Sequence, residues 1–243
     1  MKRFKIYISL LLIFSAISCA HDAADQLPEF SAVEFQASEP NCYDVSIRYQ
    51  QMTNTDNNPV FTAIDFQNYM VTFDTHAVVP MDVNASIEAL AREYTEWGSE
   101  RYFYSFTLDQ QAFFVRDNTI LCYETSVESY TGGAHGGYSL WYECFDLATG
   151  SPYDFGYLFE GEWAHSMREL IYAKLVALEP SVDVYLGSAD LLPPSSSVLI
   201  TDTGLVVVYQ PYEAASFSAG ILSVEITDAE VEAIGAPLLW CSL

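Results

Sequence analysis

Three consecutive strand-like segments in the middle of this 243-residue chain constrain its fold more than any other feature. They span residues 101–115, 119–129 and 137–146, and only short turns at 116–118 and 131–136 separate them. Strands joined by such short turns pair with their neighbours in an antiparallel meander. The middle of the chain therefore predicts an antiparallel sheet.

Helical patterns occur on both sides of this meander rather than between its strands. Apolar residues recur at helical spacing in 85–98, where Asn84 could cap the helix, in 161–179, and less regularly in 60–73. Further strands are predicted at 31–37, 42–50, 198–201, 205–209 and 221–226, and a last short helix at 228–234. Because strands and helices come in separate groups, the sequence predicts an α+β fold of antiparallel β-sheets with a few packed helices.

The N-terminus carries the pattern of a secretory signal peptide. Residues 1–18 combine a basic start with an apolar run at 6–17, which is too short to span a bilayer permanently. The following Ala16-Ile17-Ser18-Cys19 resembles the lipobox of bacterial lipoproteins, in which the cysteine is acylated. We expect a lipid anchor on Cys19, a polar tether over 19–29, and a cell-envelope location at the outer membrane, cell surface or periplasm. An ordinary signal peptide with a chance cysteine is the alternative.

The charge balance excludes one class of partner. The chain has 33 acidic and 9 basic residues, a formal net charge of −24. Without residues 1–18, which hold three basic residues and no acid, the formal charge becomes −27. A body this acidic repels phosphate backbones, so no nucleic-acid partner is expected.

Four cysteines follow Cys19, and an even number in an oxidising compartment suggests two disulfides. The midpoint of Cys122 and Cys144 falls inside the 131–136 turn, so these two lie opposite each other if the flanking strands pair. We therefore predict the bonds Cys122–Cys144 and Cys42–Cys241, with buried free thiols as the alternative. The spacings contain no CxxC, so a zinc or thioredoxin-like site has little support.

Three ordered motifs carry a family resemblance. They are YTGGAHGG at 130–137, FDLATGSPYDFGYLF at 145–159, and GLVVVYQPYEAASFSAGILSVEI at 204–226. Together they resemble the RsiV-like family of extracytoplasmic domains, which includes a lysozyme-sensing anti-sigma factor and the non-catalytic region preceding some peptidoglycan deacetylase domains. The matching positions are Tyr130, Gly132, Gly133, Ala134, His135, Gly136, Phe145, Asp146, Thr149, Gly150, Phe159, Gly204, Leu205, Pro211, Tyr212, Glu213, Ala214, Phe217, Ala219 and Gly220. The departures are Ala215-Ser216, where the family tends to have Ala-Pro, and Phe217 in place of Tyr.

This resemblance implies a division of the chain and a function. Residues 30–146 resemble the deacetylase-associated half, and residues 147–243 the RsiV-like half. The implied function is a lipid-anchored envelope binding module without catalysis, whose partner is a basic protein such as lysozyme or a cell-wall glycan. The candidate binding residues are Tyr130, Gly132, Gly133, His135, Gly136, Tyr212, Glu213 and Phe217.

The residues themselves give little support for catalysis. His135 is the one titratable group in the glycine turn, and the sequence shows no GxSxG or HExxH motif for it to serve. The simpler interpretation is that His135 hydrogen-bonds the hairpin or the neighbouring 211–217 loop. We therefore predict no catalytic residue, metal or cofactor. An envelope enzyme acting on peptidoglycan through His135 and nearby acids is one alternative, and a purely structural lipoprotein is another.

Overall fold

The fold is seen in a computed structural model that describes residues 26–98, 102–178 and 187–241. It contains two β-sheets and packed helices, so the predicted α+β class is confirmed. The five-stranded sheet has the order β1-β2-β3-β4-β5 and the three-stranded sheet the order β6-β7-β8. The strands are β1 Phe30–Glu39, β2 Tyr43–Met52, β3 Tyr104–Val115, β4 Ile120–Tyr130, β5 Gly137–Asp146, β6 Ser197–Thr201, β7 Gly204–Tyr209 and β8 Leu222–Thr227. The predicted signal peptide and the lipidation residue Cys19 lie outside the described residues.

The predicted meander is present as β3, β4 and β5, which pair antiparallel. The sheet as a whole is mixed, because β2 pairs with β3 in parallel, with Tyr43 opposite Tyr104. Two helices lie between β2 and β3 along the chain, and a parallel pair needs such a long crossover to return to the same end of the sheet. β1 pairs antiparallel with β2, so Phe30 lies opposite Met52 and Glu39 opposite Tyr43.

The longer helices are close to their predicted positions. They are α1 Pro59–Phe73, α2 Val83–Trp97 and α3 Ala164–Ala177, and a short α4 spans Asp228–Ala233. The side chain of Asp82, rather than the predicted Asn84, caps α2 by accepting a hydrogen bond from the Ala85 N–H. Trp97, which the sequence pattern placed on the apolar face of α2, is 69% exposed. No helix in the described part of the chain is long and apolar enough to cross a membrane.

The two faces of the five-stranded sheet pack against different partners. Helices α1 and α2 cover the face that carries Tyr49, Phe106, Leu108 and Gln110. The other face packs, at β4 and β5, against the three-stranded sheet and α3. Since Cys122 and Cys144 share a core with Met167, residues from both sides of the predicted 146/147 boundary contribute to one hydrophobic cluster. The division into halves stays a prediction.

An ion pair ties the C-terminal segment to the turn between β3 and β4. The guanidinium of Arg116 donates two hydrogen bonds, of 2.8 and 2.9 Å, to the carboxylate of Asp228. Trp240 Nε1 donates to the same carboxylate at 3.0 Å. Arg116, Asp117 and Asn118 have φ of 54°, 55° and 63°, which is left-handed backbone in three successive non-glycine residues.

The structure gives different outcomes for the two predicted disulfides. Cys122 lies directly opposite Cys144 on neighbouring strands, as predicted, and their sulfur atoms are 2.6 Å apart as thiols. Residues directly opposite each other on antiparallel strands have the Cα separation that a disulfide requires. Because both cysteines are thiols in this structure, the bond stays a prediction.

The predicted Cys42–Cys241 bond is wrong. The carbonyl of Cys42 accepts a hydrogen bond from Tyr104 at the start of β3, while Cys241 lies beside Arg116 and Asp228 at the far end of that strand. The length of β3 separates them by roughly 35 Å, and a disulfide needs Cα atoms within about 7 Å.

Candidate functional site

A glycine-rich turn links β4 to β5 at the end of the sheet where β3 begins. Gly132 and Gly133 have φ of 88° and 103°, a conformation that side chains disfavour, which explains the glycines. The Tyr130 hydroxyl donates to the carbonyl of Gly133 at 3.0 Å and closes the turn. His135 Nδ1 lies 2.9 Å from the carbonyl oxygen of Gly136, so this nitrogen carries the proton when the two are hydrogen-bonded. The imidazole is thereby fixed to its own hairpin.

A second loop, residues 210–220 after β7, reaches the same place from the other sheet. The Gln210 side chain holds it there: its amide donates to the Leu140 carbonyl at 2.6 Å, and the Leu140 N–H donates back to its oxygen at 3.0 Å. The Glu213 carboxylate accepts a hydrogen bond of 2.7 Å from the Gln210 N–H. Ala214 and Ala215 are buried beneath the loop. This loop is therefore anchored on the edge strand β5.

The two loops meet in a cluster of four rings. Phe217 is at its centre, with the His135 ring stacked on it at 4.1 Å between centroids and an interplanar angle of 27°. Tyr138 and Tyr212 lie 5.2 and 5.5 Å from the same ring. The Tyr138 hydroxyl also donates to the Phe217 carbonyl at 3.3 Å. The contact between His135 and the 211–217 loop expected from the sequence is present, as a ring stack.

These rings line an open cleft of about 350 Å³. Its lining residues are His135, Gly136, Gly137, Tyr138, Gln210, Pro211, Tyr212 and Phe217. Four of the predicted binding residues, His135, Gly136, Tyr212 and Phe217, are thus brought together. Tyr130, Gly132 and Gly133 shape the turn beside the cleft, and Glu213 is directed towards the backbone of its own loop.

The conformation of Tyr212 sets it apart from the other rings. Its φ is +73°, at the third position of a turn closed by the Glu213 N–H donating to the Gln210 carbonyl. Proline at the second position and a positive φ at the third define a type II turn, in which glycine is the usual third residue. Tyr212 holds this strained conformation with 61% of the residue exposed. An exposed aromatic ring kept in strained backbone points to a role in binding.

The surroundings of the cleft are acidic. Glu128 lies directly opposite Tyr138 in the β4–β5 register and is exposed, and Glu124 accepts a 2.8 Å hydrogen bond from Tyr142 farther along the same pair. Burial, followed by the Glu124 contact, raises the pKa of Tyr142. The basic side chains with a partner in the described part of the chain contact other regions: Arg48, Arg92, Arg116 and Lys174 in ion pairs and Arg168 over Phe159.

This geometry suits binding better than acid–base chemistry. Within the described residues, His135 contacts a carbonyl oxygen and an aromatic ring, and no carboxylate or hydroxyl is hydrogen-bonded to its imidazole. A catalytic histidine needs such a group to orient it and a nucleophile or substrate to receive its proton. The same residues contain no cluster of three or more His, Cys, Asp or Glu side chains that could hold a metal ion.

A second hollow, which the sequence did not predict, lies at the same end of the sheet. It has a volume of about 400 Å³ and is lined by Glu93, Tyr94, Trp97, Tyr104 and Thr131. Tyr94 stacks on Phe106 at 4.6 Å, which places this hollow on the helix-covered face of the sheet. The sequence did not predict this hollow because helical spacing places Trp97 in the core, whereas in the structure Trp97 is exposed at the end of α2.

The comparisons with known proteins point to one family. Residues 176–229, which include the 210–220 loop, match the family described as "Protein of unknown function (DUF3298)". The chain is similar to the crystal structure of a DUF3298 family member from Bacteroides fragilis, with 17% identity, a TM-score of 0.71, and coverage of 86% of this chain and 96% of that one. A DUF3298 family protein from Pseudomonas aeruginosa is 18% identical, with a TM-score of 0.59 and coverage of 86% and 94%. No curated protein matches. At these identities the similarity shows a shared fold.

Proposed function

We propose that this chain is a lipid-anchored binding module of the bacterial cell envelope, without catalysis of its own, which recognises a basic protein such as a lysozyme. The observation that carries the proposal is the cleft where the glycine turn and the 210–220 loop meet, with Tyr212 held outward in strained backbone. The resemblance to RsiV-like domains supports the same assignment, because two of the three motifs that carry it form the walls of this cleft.

The charge of the molecule supports a basic partner. The chain has a formal net charge of −24, and the exposed Glu128 lies opposite Tyr138 of the cleft. Opposite fields steer two proteins together and raise the association rate. Exposed aromatic rings then supply the short-range contacts that charge alone does not provide.

Binding of lysozyme at two salt concentrations tests this function. The full chain in detergent is titrated with lysozyme at 0.1 and 1 M salt, with cytochrome c as an unrelated basic control. We expect lysozyme binding to weaken at 1 M salt, where the Debye length falls from about 10 to about 3 Å, but to persist because ring contacts are not screened. Equal binding of both proteins, lost together at 1 M salt, would show non-specific charge attraction.

The variant His135→Ala separates binding from catalysis. The alternative of a peptidoglycan-cleaving enzyme requires His135 as an acid or base, so the variant would abolish turnover of a cell-wall preparation. The binding function predicts no turnover by the unaltered protein and a lower lysozyme affinity for the variant, because the ring stack on Phe217 is lost. Glycan cleavage that depends on His135 would contradict the proposal.

The anchoring part rests on the lipobox-like Ala16–Cys19. We expect the natural chain to fractionate with membranes and the variant Cys19→Ala either to leave them or to persist as uncleaved precursor. A processed Cys19→Ala protein that still fractionates with membranes would require another anchor.

A cell-wall glycan is a second candidate ligand, favoured by the second hollow. Its rings offer flat apolar faces for sugars, and Glu93 and Thr131 offer an acceptor and a hydroxyl at the rim. Sedimentation with insoluble peptidoglycan tests it. The variant Trp97→Ala is expected to weaken this binding, whereas Tyr212→Ala is expected to leave it unchanged.

A further inference from the structure

The ring cluster of the cleft has the geometry of a receptor for a positive charge. Tyr138, Tyr212 and Phe217 line the opening, with the two tyrosine rings 5.2 and 5.5 Å from Phe217. The face of an aromatic ring carries negative electrostatic potential and attracts a cation within about 6 Å of its centre. Because several rings line the same opening, a cation inside it is attracted by more than one of them.

An exposed carboxylate beside the cleft strengthens this potential. Glu128 is the cross-strand neighbour of Tyr138, and directly opposite residues have Cβ atoms about 5 Å apart. It is exposed, and no ion pair joins it to a basic side chain in the described ranges.

The same protein already holds one guanidinium against a ring. Arg168 lies over Phe159, with 5.6 Å from its central carbon to the ring centre, while its nitrogens donate to the carbonyls of Leu192 and Ala164. In the open cleft, exposed rings and the Glu128 carboxylate offer a guanidinium from outside the same kind of ring contact.

We propose that the cleft receives a single arginine side chain of a basic protein partner, stacked on the exposed ring of Tyr212 beside Phe217 and paired with Glu128. Arginine fits better than lysine because its planar, weakly hydrated guanidinium stacks on rings and binds carboxylates through two hydrogen bonds. This inference rests on the proposed function and names the chemical group that the cleft selects.

A pair of small probes tests the group directly. The full chain in detergent, with its aromatic residues isotopically labelled, is titrated with N-acetylarginine amide and with the neutral isostere N-acetylcitrulline amide. We expect saturable NMR shifts of His135, Tyr212 and Phe217 with the arginine probe in the millimolar range, and shifts at least fivefold smaller with citrulline at equal concentration. Equal shifts with both probes, or no shift at these residues, would overturn the proposal.

Substitutions with lysozyme as the ligand separate ring chemistry from apolar contact. Tyr212→Phe keeps the ring and is expected to retain lysozyme affinity within twofold, whereas Tyr212→Leu keeps apolar area without a ring and is expected to weaken it about fivefold. Glu128→Gln is expected to weaken it two- to fivefold. The matched control Glu88→Gln removes an exposed charge from α2, on the other face of the sheet, and is expected to change nothing beyond twofold. Equal affinities of the Phe and Leu variants would contradict arginine recognition.

The two assays distinguish this inference from the proposed function. If the arginine probe shifts the cleft residues but lysozyme does not bind, the site stands and the lysozyme-like partner is wrong. If lysozyme binds specifically but neither the arginine probe nor Tyr212→Leu has an effect, the binding function stands and the arginine site is wrong.

Discussion

The two faces of the five-stranded sheet are buried by different means. On the face towards the second sheet, the interface is almost entirely apolar: Ile120, Cys122 and Cys144 pack against Met167, Ile171 and the buried strands β6 to β8. Under α1, the opposite face contains a hydrogen-bonded polar network. The Gln110 side chain there donates to Asn68 and Thr72 at 2.9 Å and to Thr125 at 3.0 Å.

The helix-covered face also buries polar atoms without partners. Tyr123 Oη, Trp141 Nε1 and Glu143 Oε2 have no hydrogen-bond partner among the residues that the structure describes. Burial raises the pKa of Glu143 to about 8, and that of Asp65, which accepts the Met52 N–H, to about 6. Both faces bury apolar clusters, and the helix-covered face adds a hydrogen-bonded polar network and buried ionisable groups. The two faces should respond differently to substitution and to pH.

The largest effect is expected on the apolar face. Ile171→Ala removes a fully buried side chain from the centre of the α3 interface and should lower the free energy of unfolding by about 3 to 4 kcal/mol. Urea denaturation followed by circular dichroism measures this change. A loss below 1 kcal/mol would mean that this interface is loosely packed.

The next effect concerns the predicted Cys122–Cys144 bond, also on the apolar face. A cross-link that closes a loop of about 23 residues stabilises by about 3 kcal/mol, so reduction should lower the free energy of unfolding by that amount. Peptide mapping without reductant should recover Cys122 linked to Cys144. Four unlinked thiols after aerobic purification would contradict the prediction.

On the polar face, Gln110→Leu keeps the volume of the side chain but leaves Asn68, Thr72 and Thr125 without their donor. We expect a loss of about 2 to 3 kcal/mol, because buried groups then lack partners. Gln111→Leu on the solvent side of the same strand is the control and should change stability little. If both variants are equally stable, the network contributes nothing and the contrast between the faces fails.

The last effect is a pH dependence that originates from the polar face. Glu143 ionises near pH 4.3 in the unfolded chain and near pH 8 in the folded protein. Since the unfolded chain loses this proton first, the free energy of unfolding should fall as pH rises from about 4.5 to 8 and then level off. Glu143→Gln cannot ionise and should therefore remove most of that fall. The comparison of urea midpoints at pH 5 and pH 8 tests this, with Glu88→Gln as a control that keeps the full fall.

The parts of the fold set by local sequence could be predicted. The position of the 131–136 turn determines which residues of β4 and β5 oppose each other, so the Cys122–Cys144 register followed from counting along the chain. The 3.6-residue period located α1, α2 and α3. The parallel pairing of β2 with β3 could not be predicted, because it depends on how two helices pack before the chain returns to the sheet.

Only those parts of the candidate site that come from continuous segments could be predicted from the sequence. The motifs identified both walls of the cleft, since each wall is one continuous segment. The outward position of Tyr212 depends on one backbone angle. The second hollow is formed by residues from α2, β3 and the glycine-rich turn, which are distant in sequence. The hydrogen bonds of Gln110 likewise join residues up to 60 positions apart. Such long-range contacts leave no periodic pattern in the sequence.

The strand register also sets the distance between the cleft and the point where the chain enters the sheet. Phe30, where the chain enters β1, lies at one end of the sheet, and both the glycine turn and the cleft lie at the other. Ten residues at about 3.3 Å each separate those ends by roughly 30 Å. With lipid on Cys19 as proposed, the ten residues between Cys19 and Phe30 add a reach of at most about 40 Å. The five-stranded sheet would then place the proposed arginine site at the end of the domain farther from the anchored segment.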